Sequence, residues 1–326
     1  MTAATVALAP PANPWVGFGA RRLGRLLVSL WVLVTASFAM IHLIPGDPVR
    51  GALGPTAPAD LVEARRHALG LDDPLPVQYL HYLQGLFTGD LGTSLQSRLP
   101  VADVVAQRLP ATLMLAVLAF LTAVVIAIPL GVAMGVATRR GRGHRTEVAF
   151  TSTSTVVATI PDFLIGVALV YVFGILLGWL PIAGNDTAAS YVLPVISLAI
   201  GPAAILARIV RVEMSAVLEA DFVRTARAKR LPSRTVYLRH ALPNAVTGAL
   251  TIGGLLLSAM VAGTVLVENV FAWPGLGSTI VQSILTKDYP VVQAIVLVYG
   301  VGVLLTNLVV DVVLALLDPR STIREA

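Results

Sequence analysis

Six apolar runs of membrane-crossing length organise this 326-residue sequence: Leu26 to Ile44, Ala111 to Ala137, Val148 to Leu177, Tyr191 to Ala207, Ala245 to Val267 and Val291 to Leu317. A hydrocarbon core of roughly 30 Å takes about 20 helical residues to cross. In lipid an open strand would leave its backbone N–H and C=O groups without partners, so each run must be helical. The expected fold class is therefore all-α, a polytopic membrane protein with six transmembrane helices. Composition agrees, with 56% hydrophobic residues, 13% charged residues and a mean hydropathy of +0.82. The chain has no Cys, which removes disulfides, thiolate metal sites and Cys nucleophiles.

Loops that stay in the cytoplasm hold an excess of Lys and Arg. With the N-terminus placed inside, the inside segments hold 17 of these residues and the outside segments six. The bias agrees at every inside segment, so both termini are expected in the cytoplasm of a multi-pass inner (plasma) membrane protein. The net charge of +5 then reflects topology rather than a nucleic-acid footprint. Arg21-Arg22 followed by an apolar run and Ala36-Ser37-Phe38-Ala39 imitates a signal peptide, but the run continues to Ile44 and favours an uncleaved anchor.

The outside segment from Pro45 to Pro110 carries five Arg and seven acidic residues and reads as a small folded cap or a binding surface. Asp60 to Leu69 predicts one helix that Gly70 ends, and Val77 to Phe87 predicts a second after Pro74 and Pro76. Tyr79 and Tyr82 on the second suit either interfacial anchoring or contact with a partner.

The third run is too long for a simple crossing. Pro161 removes a backbone donor in its middle and Asp162 follows, so a kink with a carboxylate near its apex is expected toward the cytoplasmic half. An intramembrane carboxylate is a functional candidate; the alternative is an Asp that bonds a nearby hydroxyl such as Thr159. Asp311, with Asn307 one turn before it, reads as structural.

Catalytic patterns are missing from the sequence. There is no Gly-x-x-x-x-Gly-Lys phosphate cradle, no His-Glu-x-x-His and no Gly-x-Ser-x-Gly, and the five His form no ligand pair at helical spacing. No catalytic residue, metal site or bound cofactor is expected in this chain. Uphill transport would then draw on an ion gradient or on a partner that hydrolyses nucleotide. A gradient favours several buried ionisable residues, whereas only Asp162 sits deep in a span.

The densest charge lies between Arg208 and Pro243. Leu218 to Lys229 predicts an amphipathic helix with Phe222, Ala226 and either Val223 or Ala220 on its apolar stripe; Pro232 breaks the chain, and Ser233 is placed to cap a second helix to about Ala241. Two short helices joined by a turn make a knob that fits a partner's groove. A basic amphipathic stretch resting on anionic headgroups is the other reading.

This segment resembles the cytoplasmic coupling loop of the inner-membrane permease subunits of binding-protein-dependent ABC importers. Arg224-Thr225-Ala226 and His240-Ala241-Leu242-Pro243 fall where that family has its Glu-Ala-Ala signature and terminal Leu-Pro, and the Arg-Thr-Ala form resembles the peptide-transporting branch. The family's turn glycine falls at Arg230, and if the backbone needs positive φ there, the turn is expected to shift toward Pro232. Other motifs resemble the peptide and nickel permease pattern in order: Pro45-Gly-Asp-Pro48, Leu71-Asp-Asp-Pro-Leu-Pro-Val-Gln-Tyr79, Gly89-Asp-Leu-Gly-Thr-Ser94, Pro161-Asp-Phe163, Glu268 to Gly277, Asp288-Tyr-Pro290 and Asp318-Pro-Arg-Ser321.

The resemblance implies a type I importer permease fold divided into a cytoplasmic tail (1–25), helix 1 (26–44), an outside loop domain (45–110), a five-helix core (111–317) with the coupling loop at 208–244, and a C-terminal tail (318–326). It also implies partners: a second homologous permease, two ATPase subunits that use ATP and Mg, an extracytoplasmic binding protein, and a peptide substrate, with nickel, glutathione or another small solute as the alternative. A standalone ion-gradient carrier is the remote one. The residues implied for ATPase coupling are Glu219, Ala220, Asp221, Arg224, Thr225, Ala226, Lys229, Arg230, His240, Leu242 and Pro243; those for the translocation path are Pro161, Asp162, Phe163, Trp273, Pro274 and Gly275. The segment Trp273 to Gly277 is expected either to dip back toward the pore or to form an exposed turn.

Overall fold

The computed structural model describes residues 14–43, 48–54, 56–68, 70–141 and 143–317. Pro45-Gly-Asp, Asp318 to Ser321 and the outermost parts of both tails lie outside the described residues. In chain order α1 is Pro14–Leu43, α2 Pro48–Leu53, α3 Ala59–Ala68, α4 Leu75–Thr88, α5 Val101–Thr138, α6 His144–Thr159, α7 Asp162–Leu169, α8 Val192–Val217, α9 Asp221–Ala228, α10 Ser233–Thr235, α11 Leu242–Val270, α12 Leu276–Leu285 and α13 Tyr289–Leu317. A π-helical stretch, Val170–Leu176, prolongs α7, and another, Val236–Ala241, joins α10 to α11. Among the described residues five helical segments are long and apolar enough to cross a membrane, and the bent pair α6–α7, counted as one span, makes six.

The helices outrun the apolar runs. Hydropathy marks only the part of a helix that lies in lipid, while Arg, Lys and Glu extend a helix into water at little cost. Residues 14–25, expected in a tail, therefore belong to α1. α5 begins at Val101, within the segment expected as the outside domain, and carries both Pro110 and Pro129 in its interior. Each Pro removes one donor without ending the helix. α8 runs on to Val217, so Arg208 and Arg211 are helical rather than part of a loop. The knob's second helix is no separate unit, because the chain is helical without interruption from Ser233 to Val270. Ser233 makes no capping bond, since Pro232 holds the cap position.

The core is built on α5 and α8. Ala116, Ala119, Ala123, Ala127, Gly131 and Gly135 recur at helical spacing along one buried face of α5. Small residues let helix backbones approach closely, which drives association in lipid. A Cβ on Gly131 would stand 2.6 Å from the Ala207 carbonyl oxygen, and one on Gly135 would stand 2.9 Å from Met214 Cβ. α1 and α13 pack at the periphery. They are joined by the Arg22–Asp311 ion pair, which gives Asp311 its structural role, while Asn307 accepts a hydrogen bond from Ser258 of α11 at 3.0 Å.

Outside the core, α3 ends at a left-handed Gly70, with φ +65. The bonds Gly70 N–H to His67 and Leu71 N–H to Arg66 close the helix end in a Schellman arrangement. α4 lies against α1: the Tyr79 hydroxyl bonds the Thr35 hydroxyl at 2.8 Å, and the Phe38 ring packs on Tyr79 and Tyr82. Both tyrosines thus dock the outside segment onto the first span.

Candidate functional site

Three local constructions stand out: an elbow, the loop expected outside (the outer loop) and the knob expected inside (the inner knob). The elbow begins at Ile160, which precedes a Pro and so leaves the helical region for φ −72, ψ 124. Pro161 then caps α7, and α6 and α7 meet at 91°, a far sharper break than a kinked continuous helix. Ser197 of α8 secures the apex by donating to the Asp162 carbonyl at 2.7 Å.

The Asp162 carboxylate itself has no hydrogen-bond or ion-pair partner among the described residues. Thr159, the expected hydroxyl partner, donates to the Thr155 carbonyl instead. Two glycines on neighbouring helices keep the space beside the carboxylate clear. A Cβ on Gly201 of α8 would lie 3.3 Å from Oδ1, and one on Gly263 of α11 would lie 3.7 Å from Oδ2. Below the elbow, α6 presents a run of hydroxyls from Thr151 to Thr155, with Ser152, Thr153 and Thr155 exposed. Arg208 donates to Thr155 at 2.7 Å and Arg211 pairs with Glu147 at 2.9 Å, tying α6 to α8.

The outer loop follows α11. Ala272, at φ +45, turns the chain, and Trp273 N–H bonds the Glu268 carbonyl at 2.8 Å. The segment is buried within protein and is no exposed turn. Trp273 is 0% exposed, its indole donates to the Ala111 carbonyl at 3.1 Å, and its ring meets Tyr191 edge-on. So placed, Trp273 supports the loop, while Pro274 is half-buried and Gly275 buried beside it.

Glu268, also wholly buried, organises this loop. It accepts from Thr112 Oγ1 at 2.7 Å, from Gly277 N–H at 2.7 Å and from Ser278 N–H at 3.1 Å. Thr112 in turn accepts from Leu276 N–H at 2.8 Å. A buried carboxylate with every oxygen hydrogen-bonded fixes the loop's geometry. Gly277 must be glycine for this approach, since a Cβ there would stand 2.5 Å from Val265 Cα.

Asp288 builds a second such cage. It is buried, and it accepts from the Ser94 hydroxyl, from Leu95 N–H at 3.0 Å and from Gln96 N–H at 3.4 Å. This joins two motifs that the sequence presents 194 residues apart. Neither Glu268 nor Asp288 stands out by spacing; the signal for each was a lone acidic residue opening a motif at the end of an apolar run.

The knob is α9 and the first turns of the helix that starts at Ser233. Val223 and Ala226 of α9 are buried against Val236, Ala241 and Ala245 and against Met214 and Leu218 at the end of α8. The charged face points away: Arg224 pairs with Asp221 at 2.9 Å, and both side chains are exposed, at 68% and 92%. Thr225, Lys229 and Arg230 continue that surface, Glu219 and Ala220 lead into it, and Leu242 and Pro243 start α11. His240 is half-buried, and its carbonyl accepts from the Asn244 amide at 2.8 Å. The turn is not displaced. Arg230 itself adopts φ +57, with Arg230 N–H bonded to Arg227 and Leu231 N–H to Ala226, the Schellman closure that a glycine would make without strain.

Residues 127–323 match the family described as binding-protein-dependent transport system inner membrane component, and residues 16–116 match its N-terminal companion. The chain is 39% identical over 299 residues to a protein of Escherichia coli (strain K12) named glutathione transport system permease protein GsiC, covering 92% of this chain and 96% of that one. A protein of the same name from Salmonella typhi is 38% identical over the same extent. Among solved structures, an inward-facing MetNI methionine ABC transporter aligns with a TM-score of 0.56 at 17% identity, over 66% of this chain and 96% of that chain, and shows a shared fold.

Proposed function

Because this chain belongs to the inner-membrane permease subunits of binding-protein-dependent ABC importers, whose ATP hydrolysis is carried out by separate ATPase subunits, we propose that it forms half of a translocation path for short peptides, glutathione among them. Both termini and the 208–244 segment face the cytoplasm in this reading, and the 45–110 segment faces outward. The excess of Lys and Arg in the segments placed on the cytoplasmic side supports the orientation.

One observation carries the substrate class: the Asp162 carboxylate, unpaired at the apex of a 91° elbow and flanked by Gly201 and Gly263. A carboxylate in a low-dielectric passage attracts an ammonium group and resists an anion. Peptides and glutathione both carry an α-ammonium. A single carboxylate holds such a group weakly enough to release it, which suits a path better than a storage site.

Coupling follows from the knob. Its apolar underside is continuous with α8 and α11, so a push on α9 moves those two helices together, and α8 holds the elbow through Ser197. ATPase closure against Glu219, Asp221, Arg224, Lys229 and Arg230 would thereby shift the walls around Asp162.

The test is uptake by the chain reconstituted with its second permease, two ATPases and binding protein. Labelled glutathione or a labelled dipeptide is expected to accumulate only with ATP, and an N-acetylated dipeptide to enter at least about tenfold more slowly. Asp162→Asn should erase that preference. Accumulation of neither peptide nor glutathione, or a preference that survives Asp162→Asn, would refute the assignment.

A further inference from the structure

Beside the knob lies a cavity of about 210 Å³ lined by Arg139, Arg227, Leu231, Ser233, Val236 and Tyr237. Its lining includes two arginines and no carboxylate residue. Arg227 Nη2 is shut off from solvent and has no hydrogen-bond partner, and neither Arg139 nor Arg227 makes an ion pair among the described residues. By contrast, Arg22, Arg66, Arg211 and Arg224 each have a carboxylate partner. A buried, unpaired guanidinium nitrogen is costly, and two like charges facing one cavity add repulsion.

Two further features point the same way. Ser233 opens the helical segment that runs unbroken to Val270, and no side chain caps that end. Its first N–H groups and the positive end of its dipole thus border the same cavity as the two arginines. Tyr237 closes another wall.

We propose that this cavity is a binding site for a phosphate group. The planar forks of Arg139 and Arg227 can grip the oxygens of a phosphate from two sides, with the Ser233 hydroxyl and the helix end completing the shell. A phosphate mono- or diester headgroup and free phosphate present the same oxygens, so either a phospholipid of the inner leaflet or a soluble phosphate could fill it. The site joins the end of α5 to the turn between α9 and α10, and occupancy would brace the knob independently of the solute carried.

Purified, delipidated full-length chain in a maltoside detergent, which carries no phosphate, provides the test, with thermal unfolding measured against inorganic phosphate, and native mass spectrometry of retained lipid after adding phosphatidylglycerol. Stabilisation by inorganic phosphate identifies a soluble source. Retention of phosphatidylglycerol without that stabilisation identifies a lipid source. Arg139→Gln and Arg227→Gln should each weaken the responding arm about tenfold, as expected for a lost charge-assisted bond. Arg234→Gln, an exposed change outside the lining, should not. Absence of both responses in the unaltered chain overturns the proposal, even if the variants fold poorly. So does an equal loss with Arg234→Gln, which would mean that total charge alone is being read.

Discussion

The outer loop and the inner knob are both compact turns set on the same helix, α11, yet they are held by opposite means. The outer loop is fixed from within by the Glu268 carboxylate, which gathers Thr112, Gly277 and Ser278. The knob is seated on the core by apolar contact, Val223 and Ala226 against Val236, Ala241 and Met214, and keeps Asp221 and Arg224 on the outside. Hydrogen bonds to a buried charge have direction and fix a shape, whereas apolar packing is tolerant in direction and transmits force without committing its polar groups. The knob therefore leaves its charges free for a partner, and the outer loop has none to offer.

That contrast predicts where substitutions hurt. Glu268→Ala would strand Thr112 and two backbone donors in a dry site, and should lower stability by about 3 kcal/mol or more. Thermal unfolding in detergent reads this, and a loss under 1 kcal/mol would mean the cage is not what fixes the loop. Asp288→Ala opens the second cage at Ser94, Leu95 and Gln96 and should cost about 2 kcal/mol. Its readout is faster hydrogen exchange at Leu95 and Gln96 without change at α9. A smaller effect of opposite sign is expected in the knob: Arg230→Gly relieves a left-handed residue and should stabilise by about 1 kcal/mol, seen as a higher unfolding midpoint. Destabilisation there would show that the Arg230 side chain supports the turn.

The same contrast governs what the sequence disclosed. Apolar length yields the spans because lipid imposes a single physical demand on each. Pro161-Asp162 announced a bend, but the bond that Ser197 of α8 makes at the apex of the 91° elbow is one no local pattern reveals. Of the residues placed on the knob's apolar stripe, Ala226 and Val223 are the buried pair, whereas Phe222 is 46% exposed. Ser233 looked like a cap, and Pro232 occupies that position instead. The cages were hidden for another reason: Glu268 meets Thr112 across 156 residues, and such pairing leaves no periodicity. Arg230 was legible in the converse sense, as the residue standing where a glycine was expected.

The central claim is that force enters at the knob and leaves at the elbow. Its most direct test is solute uptake and ATP hydrolysis measured together in the reconstituted complex carrying Val223→Asp, which puts a charge into the apolar joint while leaving the outer face of α9 intact. The account predicts continued hydrolysis with uptake lost. Uptake per ATP equal to that of the unaltered complex, in a variant shown to be folded, would contradict it.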